Sequence, residues 1–223
     1  MSEVDTSACG ALAATLRDGA KTLGIALNGL QQAQLLTYLA MLAKWNKTYN
    51  LTSIRAPDQM MTHHLLDSLA VVPAFSGAQN VLDVGAGGGL PGIILAIWAM
   101  TSQPDMRVSM IDTVHKKTAF LTQVKAEMGL KNVRVHTARV EELEVPHKFD
   151  VITSRAFAEL SDFINWSAHL LADGGQFIAL KGLQPAAEIE RLPAGWEVAE
   201  VRRIAVPGLD AERHLITIKR AIG

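Results

Sequence analysis

Apolar residues recur at three- and four-residue intervals through the first third of the chain, and in short unbroken runs after residue 80. The first pattern predicts amphipathic helices over 10–23 and 30–47, the second with Leu35, Leu36, Leu39, Leu42 and Trp45 on its apolar face. Asn28-Gly29 separates the two, and Asn28 is placed to cap the second. The polar stretch Lys47-Thr48-Tyr49-Asn50 leads to Pro57, and a third helix is predicted from Asp58 to about Val72, stopped by Pro73.

Beyond residue 80 the period changes. Strands are predicted at Val81 to Val84, Val108 to Asp112, Val133 to Val135, Phe149 to Ile152 and Gln176 to Leu180. Helices are predicted from Leu90, over 115–128 and over 158–171, with a turn at Asp173-Gly174-Gly175. This alternation implies a parallel sheet covered on both faces. Trp196 to Val206 and His214 to Lys219 read as two more strands joined at Pro207-Gly208, an antiparallel finish. The expected fold is α/β and Rossmann-like, with about seven strands. A helical extension, residues 1–75, is expected to pack on a core of residues 76–223. No internal repeat, low-complexity tract or flexible linker interrupts the chain.

Composition narrows this picture. A chain of 223 residues, 49% hydrophobic, can bury a sizeable core. Cys9 is the one cysteine, so neither an intrachain disulfide nor a cysteine-based zinc site can form. The N-terminus MSEVDTSACG lacks the basic and apolar regions of a secretory signal. The longest apolar run, Leu90 to Met100, is too short to span a bilayer. A cytoplasmic protein is expected, not bound to a membrane. A net charge of −1 argues against a coat of positive charge for indiscriminate nucleic-acid binding.

The sharpest chemical signal is Asp83-Val84-Gly85-Ala86-Gly87-Gly88-Gly89-Leu90-Pro91-Gly92, between a strand and a helix. In a doubly wound sheet this is where ligands bind. The dinucleotide fingerprint G-x-G-x-x-G is not met, because Leu90 stands at its third glycine. The spacing is instead acid-x-G-x-G-x-G, which resembles the first motif of class I methyltransferases. S-adenosylmethionine carries no phosphate to cradle, and its ammonium suits the carboxylate of Asp83. Asp112, at the tip of the next strand, can accept ribose hydroxyls; both NAD and S-adenosylmethionine would use it so.

What is missing also bears on the reaction. A pyrimidine-carbon methyltransferase commonly needs a cysteine nucleophile, and Cys9 lies far from the strand tips. Exocyclic-amine enzymes often carry Asn/Asp-Pro-Pro-aromatic after the fourth strand, where this chain reads Thr153-Ser154-Arg155-Ala156-Phe157. Guanine N7 fits this shortage of catalytic groups. Its lone pair is free at neutral pH, so no general base is needed and positioning suffices.

Several further segments then match one family. They are Trp45 to Thr52, His63-His64-Leu65-Leu66-Asp67-Ser68, Leu82 to Gly92, Ser154-Arg155-Ala156-Phe157-Ala158, Ala179-Leu180-Lys181-Gly182 and Glu212-Arg213-His214. Over roughly residues 30 to 220 the chain resembles the bacterial 16S ribosomal RNA guanine-N7 methyltransferases, also called glucose-inhibited division protein B. The resemblance implies methylation of one guanine N7 in the 530 loop of the decoding region, with S-adenosylmethionine as donor. It carries cofactor contacts over to Gly85 and Leu90, Val140 and Glu141, Arg155 and, for the ribose, Asp112. With the motif reading, the cofactor set is Asp83, Gly85, Gly87, Gly89, Leu90, Asp112, Val140, Glu141 and Arg155. Related sequences often carry proline where this chain has Gly88, and Lys-Arg where it has Lys116-Lys117.

No residue is assigned to catalysis beyond positioning. Arg155 and Lys181, at strand tips, are candidates for contact with the substrate, and the guanine is expected to stack on a side chain such as Phe157. Adjacent helical histidines point about 100° apart, so His63 and His64 do not suit one metal ion, and no metal is expected. His63 and Asp67 are spaced for an i,i+4 hydrogen bond. Trp45 reads as core. Lys44, Lys47, Arg55, Arg202, Arg203 and Arg213 are candidates for phosphate contacts. The expected partner is 16S ribosomal RNA, the 30S subunit or an assembly intermediate, met by a monomer. Two rivals remain: a small-molecule methyltransferase with the same cofactor site, and a non-catalytic ribosome-associated binding protein.

Overall fold

A computed structural model describes the fold over residues 3–221, with side chains from Gly10 onward, so the thiol of Cys9 lies outside the described residues. The chain opens with helices α1 (Glu3–Thr22) and α2 (Gly29–Tyr49). A helical run follows: α3 (Pro57–Met60), a π-helical turn (Met61–Leu66) and α4 (Asp67–Ala70). Then come β1 (Asn80–Val84), α5 (Gly92–Ser102), β2 (Arg107–Asp112), α6 (His115–Glu127) and β3 (Val133–Thr137). The chain continues through β4 (Phe149–Arg155), α7 (Leu160–Ser167), β5 (Leu171–Lys181) and α8 (Ala186–Ile189). It finishes with β6 (Trp196–Arg203) and β7 (His214–Arg220).

The strands form one sheet in the order β3-β2-β1-β4-β5-β7-β6. All pairs are parallel up to β5; β7 is antiparallel to both neighbours. The order reverses direction beside β1, so the tips of β1, β2 and β4 open a crevice there. Each face of the sheet carries its own core. Val81, Val108 and Met110 pack with α2, α5 and α6 on one side; Leu82, Ile152 and Phe177 pack with α7 on the other.

The extension is fastened to this frame by polar as well as apolar contacts. Asn28 and Gln31 form a reciprocal capping box, at 2.8 and 3.0 Å. The buried Gln31 amide also donates to the carbonyls of Ile97 and Trp98 in α5, and Gln34 donates to Met128 past α6. Leu35, Tyr38, Leu39 and Leu42, at helical spacing, are buried beneath. Each large side chain buried there contributes roughly 1.5–3 kcal/mol.

The structure departs from the sequence expectations locally. The helix predicted over 58–72 is interrupted by the π turn, and Pro73 sits inside a short 3₁₀ turn (Val72–Phe75) rather than ending the run. The turn predicted at 173–175 is absorbed into β5 as an irregularity: Phe149 pairs with Leu171, but Val151 pairs with Gln176. β6 ends at Arg203, where it meets His214, so Pro207-Gly208 belongs to a longer loop. Among the described residues no helix is long and apolar enough to cross a membrane.

Candidate functional site

The glycine loop joins β1 to α5 and is held from four directions. Ala86 N–H donates to the Ile111 carbonyl at 3.0 Å, tying it to β2. Gly87 N–H donates to Asp112 Oδ2 at 3.0 Å. Gly92 N–H donates to Asp83 Oδ2 at 2.9 Å, fixing the start of α5. From the extension, the Tyr38 hydroxyl donates to the Gly88 carbonyl at 2.7 Å. Gly85 and Gly89 have φ of +66° and +91°, which side chains disfavour. A Cβ on Gly89 would stand 2.6 Å from Ile93 and 2.7 Å from Leu121; one on Gly85 would collide with the Phe157 ring.

Two cavities flank this loop and share Gly85 and Ala156. The second, of about 400 Å³, is walled by Val84, Ile111, Val140 and Phe157, with Asp112, Lys117 and Glu141 at its polar side. Asp112 is 7% exposed. Its Oδ1 accepts Val114 N–H at 2.9 Å, and Lys117 Nζ lies 3.4 Å from Oδ2. Each carboxylate oxygen keeps a lone pair after its backbone bond. Apolar walls around one well-held acceptor suit a nucleoside: a flat ring for the walls and ribose hydroxyls for the carboxylate. This pocket therefore fits the adenosine part of S-adenosylmethionine.

The first cavity, of about 370 Å³, lies on the other side of the loop, under the tips of β4 and β5. Arg155, at the tip of β4, anchors it. Its Nη1 donates to Asp67 Oδ2 at 3.2 Å and to the His63 carbonyl at 3.1 Å. The π turn makes this possible, since Asp67 N–H bonds back to Thr62 rather than to His63. Asp67 Oδ1 accepts from Arg213 Nε at 2.8 Å, so both oxygens of a carboxylate only 4% exposed as a residue are taken by guanidinium groups. His64 is buried beside them, with Nε2 2.8 Å from the Thr52 hydroxyl and Nδ1 3.0 Å from the His63 carbonyl. Burial, reinforced by Arg155, pulls its pKa down to about 4, so the ring is neutral at physiological pH. Lys181 Nζ donates to the Ala158 carbonyl and to Glu188 Oε2, at 2.9 and 2.8 Å.

Gly85, Gly87, Leu90 and Arg155 line the first cavity; Asp112, Val140 and Glu141 line the second, which Gly85 also borders. Asp83 and Gly89 line neither. Asp83 is 0% exposed; its Oδ2 holds the start of α5, and its Oδ1 is buried without a hydrogen-bond partner. Burial pushes its pKa up to about 7, and the Gly92 hydrogen bond opposes that rise. Gly89 serves close packing of the loop on α5 and α6.

Phe157 stands edge-on to Trp166, centroids 5.8 Å apart, in the second cavity and not in that of Lys181. Lys181 lines the first cavity, and its Nζ donates to the carbonyl of Ala158, the residue after Phe157. The expected His63–Asp67 pair does not form. Two guanidinium groups hold Asp67, and charge-assisted bonds outcompete a neutral imidazole, while His63 Nδ1 lies near Gln59 O and Thr62 Oγ1. Trp45 packs against Phe120 and Tyr49 as core. Of the candidate phosphate contacts, Arg213 reaches the first cavity, whereas Arg202 and Arg203 lie near Glu200 and Glu212. Thr52 and Arg213 entered the sequence reading as a motif member and a lone charge, and Asp67 as the expected partner of His63; their long-range convergence is what the fold adds.

Known proteins resemble this chain in sequence and in fold. The family described as "GidB: rRNA small subunit methyltransferase G" matches residues 31–216. A "Ribosomal RNA small subunit methyltransferase G" of Herminiimonas arsenicoxydans is 68% identical over 210 residues, covering 94% of this chain and 96% of that one. One of Janthinobacterium sp. (strain Marseille) is 66% identical over 212 residues, covering 95% and 96%. In fold, the chain is similar to magnesium protoporphyrin IX methyltransferase from Synechocystis PCC 6803, solved with bound S-adenosylmethionine. That likeness has a TM-score of 0.56 at 15% identity, over 82% of this chain and 97% of that one. With a glycine loop, a ribose-ready carboxylate and two-thirds of its residues shared with such relatives, the chain belongs to the rRNA small subunit methyltransferase G family, whose methyl donor is S-adenosylmethionine.

Proposed function

We propose that the chain methylates N7 of a guanine in the 530 loop of 16S ribosomal RNA, acting as a monomer on the RNA, the 30S subunit or an assembly intermediate. When bound, S-adenosylmethionine supplies an electrophilic methyl group on a sulfonium. Asp112 would hold the ribose, Val140 and Glu141 would flank the adenine, and Gly85, Gly87, Leu90 and Arg155 would border the amino-acid end. The guanine would enter the first cavity, beside Arg155 and Arg213. Residues 1–75 would serve as an extension that completes this cavity on a cofactor-binding core, residues 76–223.

The observation that carries the reading is the state of the ionisable groups in the first cavity. Asp67 is its lining carboxylate, and both oxygens are engaged by arginines. His64 is neutral but buried, with both ring nitrogens already near partners. Neither of these two groups is thus free to act as a general base; His63 and His214 also line the cavity, each with Nδ1 near a backbone carbonyl. N7 needs none, and orientation supplies the rate.

The test uses 30S subunits and naked 16S RNA from a strain lacking the enzyme, with tritiated cofactor. Incorporation should map to one guanine that becomes cleavable by borohydride and aniline, the signature of N7 methylation. Labelling elsewhere, or none in either substrate, would refute the proposal. At saturating cofactor, the single-turnover rate should vary less than about two-fold from pH 6 to 8; a unit slope would instead reveal proton removal.

A further inference from the structure

At the end of the sheet opposite the two cavities, the amino ends of β1 to β4 frame a third groove, of about 760 Å³. Four cations line it. Arg107 opens β2, Arg134 lies on the edge strand β3, Lys125 sits in the last turn of α6, and Lys131 lies in the loop that follows. Asp105 is the acid of the lining, and His147 adds a fifth nitrogen group.

The pairing of these charges sets them apart. Around the first cavity Arg155, Lys181 and Arg213 are each held by a carboxylate. Among the described residues none of Arg107, Lys125, Lys131 and Arg134 is in an ion pair. Four like charges gathered without local neutralisation repel one another and raise the potential in the groove, which favours an incoming polyanion. In a chain of net charge −1, this local concentration is not a by-product of overall basicity.

We propose that this groove docks the phosphodiester backbone of the ribosomal RNA substrate, at a site separate from the one where the guanine reacts. The proposal rests on the reading that the substrate is ribosomal RNA. Successive strand residues rise about 3.3 Å, so the length of β2 puts the two sites about 20 Å apart. An RNA touching both must be folded or large, and a short oligonucleotide spanning only the target loop would miss the groove. The groove contributes affinity and orientation and takes no part in the chemistry. Phosphate contacts position a nucleic acid without reading its sequence.

The test compares the wild type with R107Q/K131Q/R134Q, whose three positions are exposed. A control, R17Q/K21Q/R191Q, removes the same charge from exposed positions elsewhere. Filter binding to 16S RNA is measured across a salt series, and the cofactor Kd by calorimetry. The groove variant should bind RNA at least about a hundredfold more weakly near 0.1 M salt. Its plot of log affinity against log salt should be shallower by roughly two to three, since each phosphate contact contributes about 0.7–0.9. The cofactor Kd and kcat should stay within two-fold, and the control should keep its RNA affinity within two-fold. Wild-type RNA affinity and slope in the groove variant, as for a groove serving an acidic protein, would overturn the proposal. So would an equal loss in the control. Should the triple variant fold poorly, Lys131→Gln alone, in a loop, is expected to give about a third of the slope change, and no change would count against the site. Binding is read without methyl transfer. An RNA that binds in this way and is not methylated would therefore sink the functional reading and leave the groove standing.

Discussion

The Tyr38 hydroxyl, on the second helix of the extension, donates a 2.7 Å hydrogen bond to the carbonyl of Gly88 in the middle of the cofactor loop. Tyr38 is fully buried, and burial holds its hydroxyl protonated by raising its pKa. The loop carries glycine here, so this bond supplies rigidity that the loop backbone lacks. Tyr38→Phe leaves the carbonyl unpaired at a cost of about 1–3 kcal/mol. Thermal unfolding should show that loss, and calorimetry should show the cofactor Kd rising several-fold. An unchanged Kd would mean that the bond does not shape the loop.

Asp112 meets two backbone N–H groups as well as facing the nucleoside pocket. Asp112→Ala should weaken cofactor binding by roughly 1–3 kcal/mol, the range for a lost hydrogen bond to a charged group. Calorimetry checks this, and wild-type affinity would remove Asp112 from the site.

Asp83 should make stability depend on pH in an unusual direction. Its folded pKa, about 7, lies above the ordinary carboxylate value, so the folded chain holds this proton more tightly than the unfolded chain. That contribution is complete at low pH and is lost as pH rises through 7, by up to about 4 kcal/mol at 1.4 kcal/mol per unit. His64 acts with the opposite sign below pH 6.5, because its folded pKa is depressed to about 4. Asp83→Asn should therefore flatten the fall in melting temperature between pH 5 and 8. An undiminished fall in that variant would assign it to other groups.

The arginine pair separates the two halves of the site. Both line the first cavity, but Arg155 adjoins Ala156, which borders both cavities, whereas Arg213 comes from the loop before β7. Arg213→Ala should raise KM for RNA and leave the cofactor Kd within two-fold. Arg155→Ala should weaken the cofactor as well, by about tenfold, and slow turnover. Equal effects of the two substitutions on cofactor binding would contradict this division.

Gly89→Ala should cost more than the usual glycine replacement. The new methyl would meet Ile93 and Leu121 while the backbone stays at φ +91°. Strain of this kind is on the order of 1–3 kcal/mol before packing is counted. Denaturant unfolding measures it, and a stability within about 0.5 kcal/mol of wild type, the ordinary range for surface substitutions, would contradict the packing role.

The sheet was legible because its signals are local. Val81 to Val84 and Val108 to Ile111 are buried on both faces and read as mainly apolar runs, each with one polar residue, and Asn28 marks its helix start by its own side chain. The glycine loop was legible as a strand-to-helix turn for the same reason. What the chain hid depends on residues far apart in sequence. Asp67 looked like the partner of His63, one helical turn away, because nothing local shows two arginines arriving from β4 and from the loop before β7. Nor does anything local show that Asp83 is fully buried, with one oxygen holding the start of α5. The π turn has no sequence marker of its own, yet it is what leaves the His63 carbonyl to Arg155.

The Arg155–Asp67–Arg213 clamp joins residues separated by 88 and 146 positions. Synthesis therefore delivers its last corner 146 residues after Asp67. A nascent or truncated polypeptide ending before residue 213 lacks the clamp. The clamp belongs to the chain through residue 213, and no fragment that stops earlier inherits it.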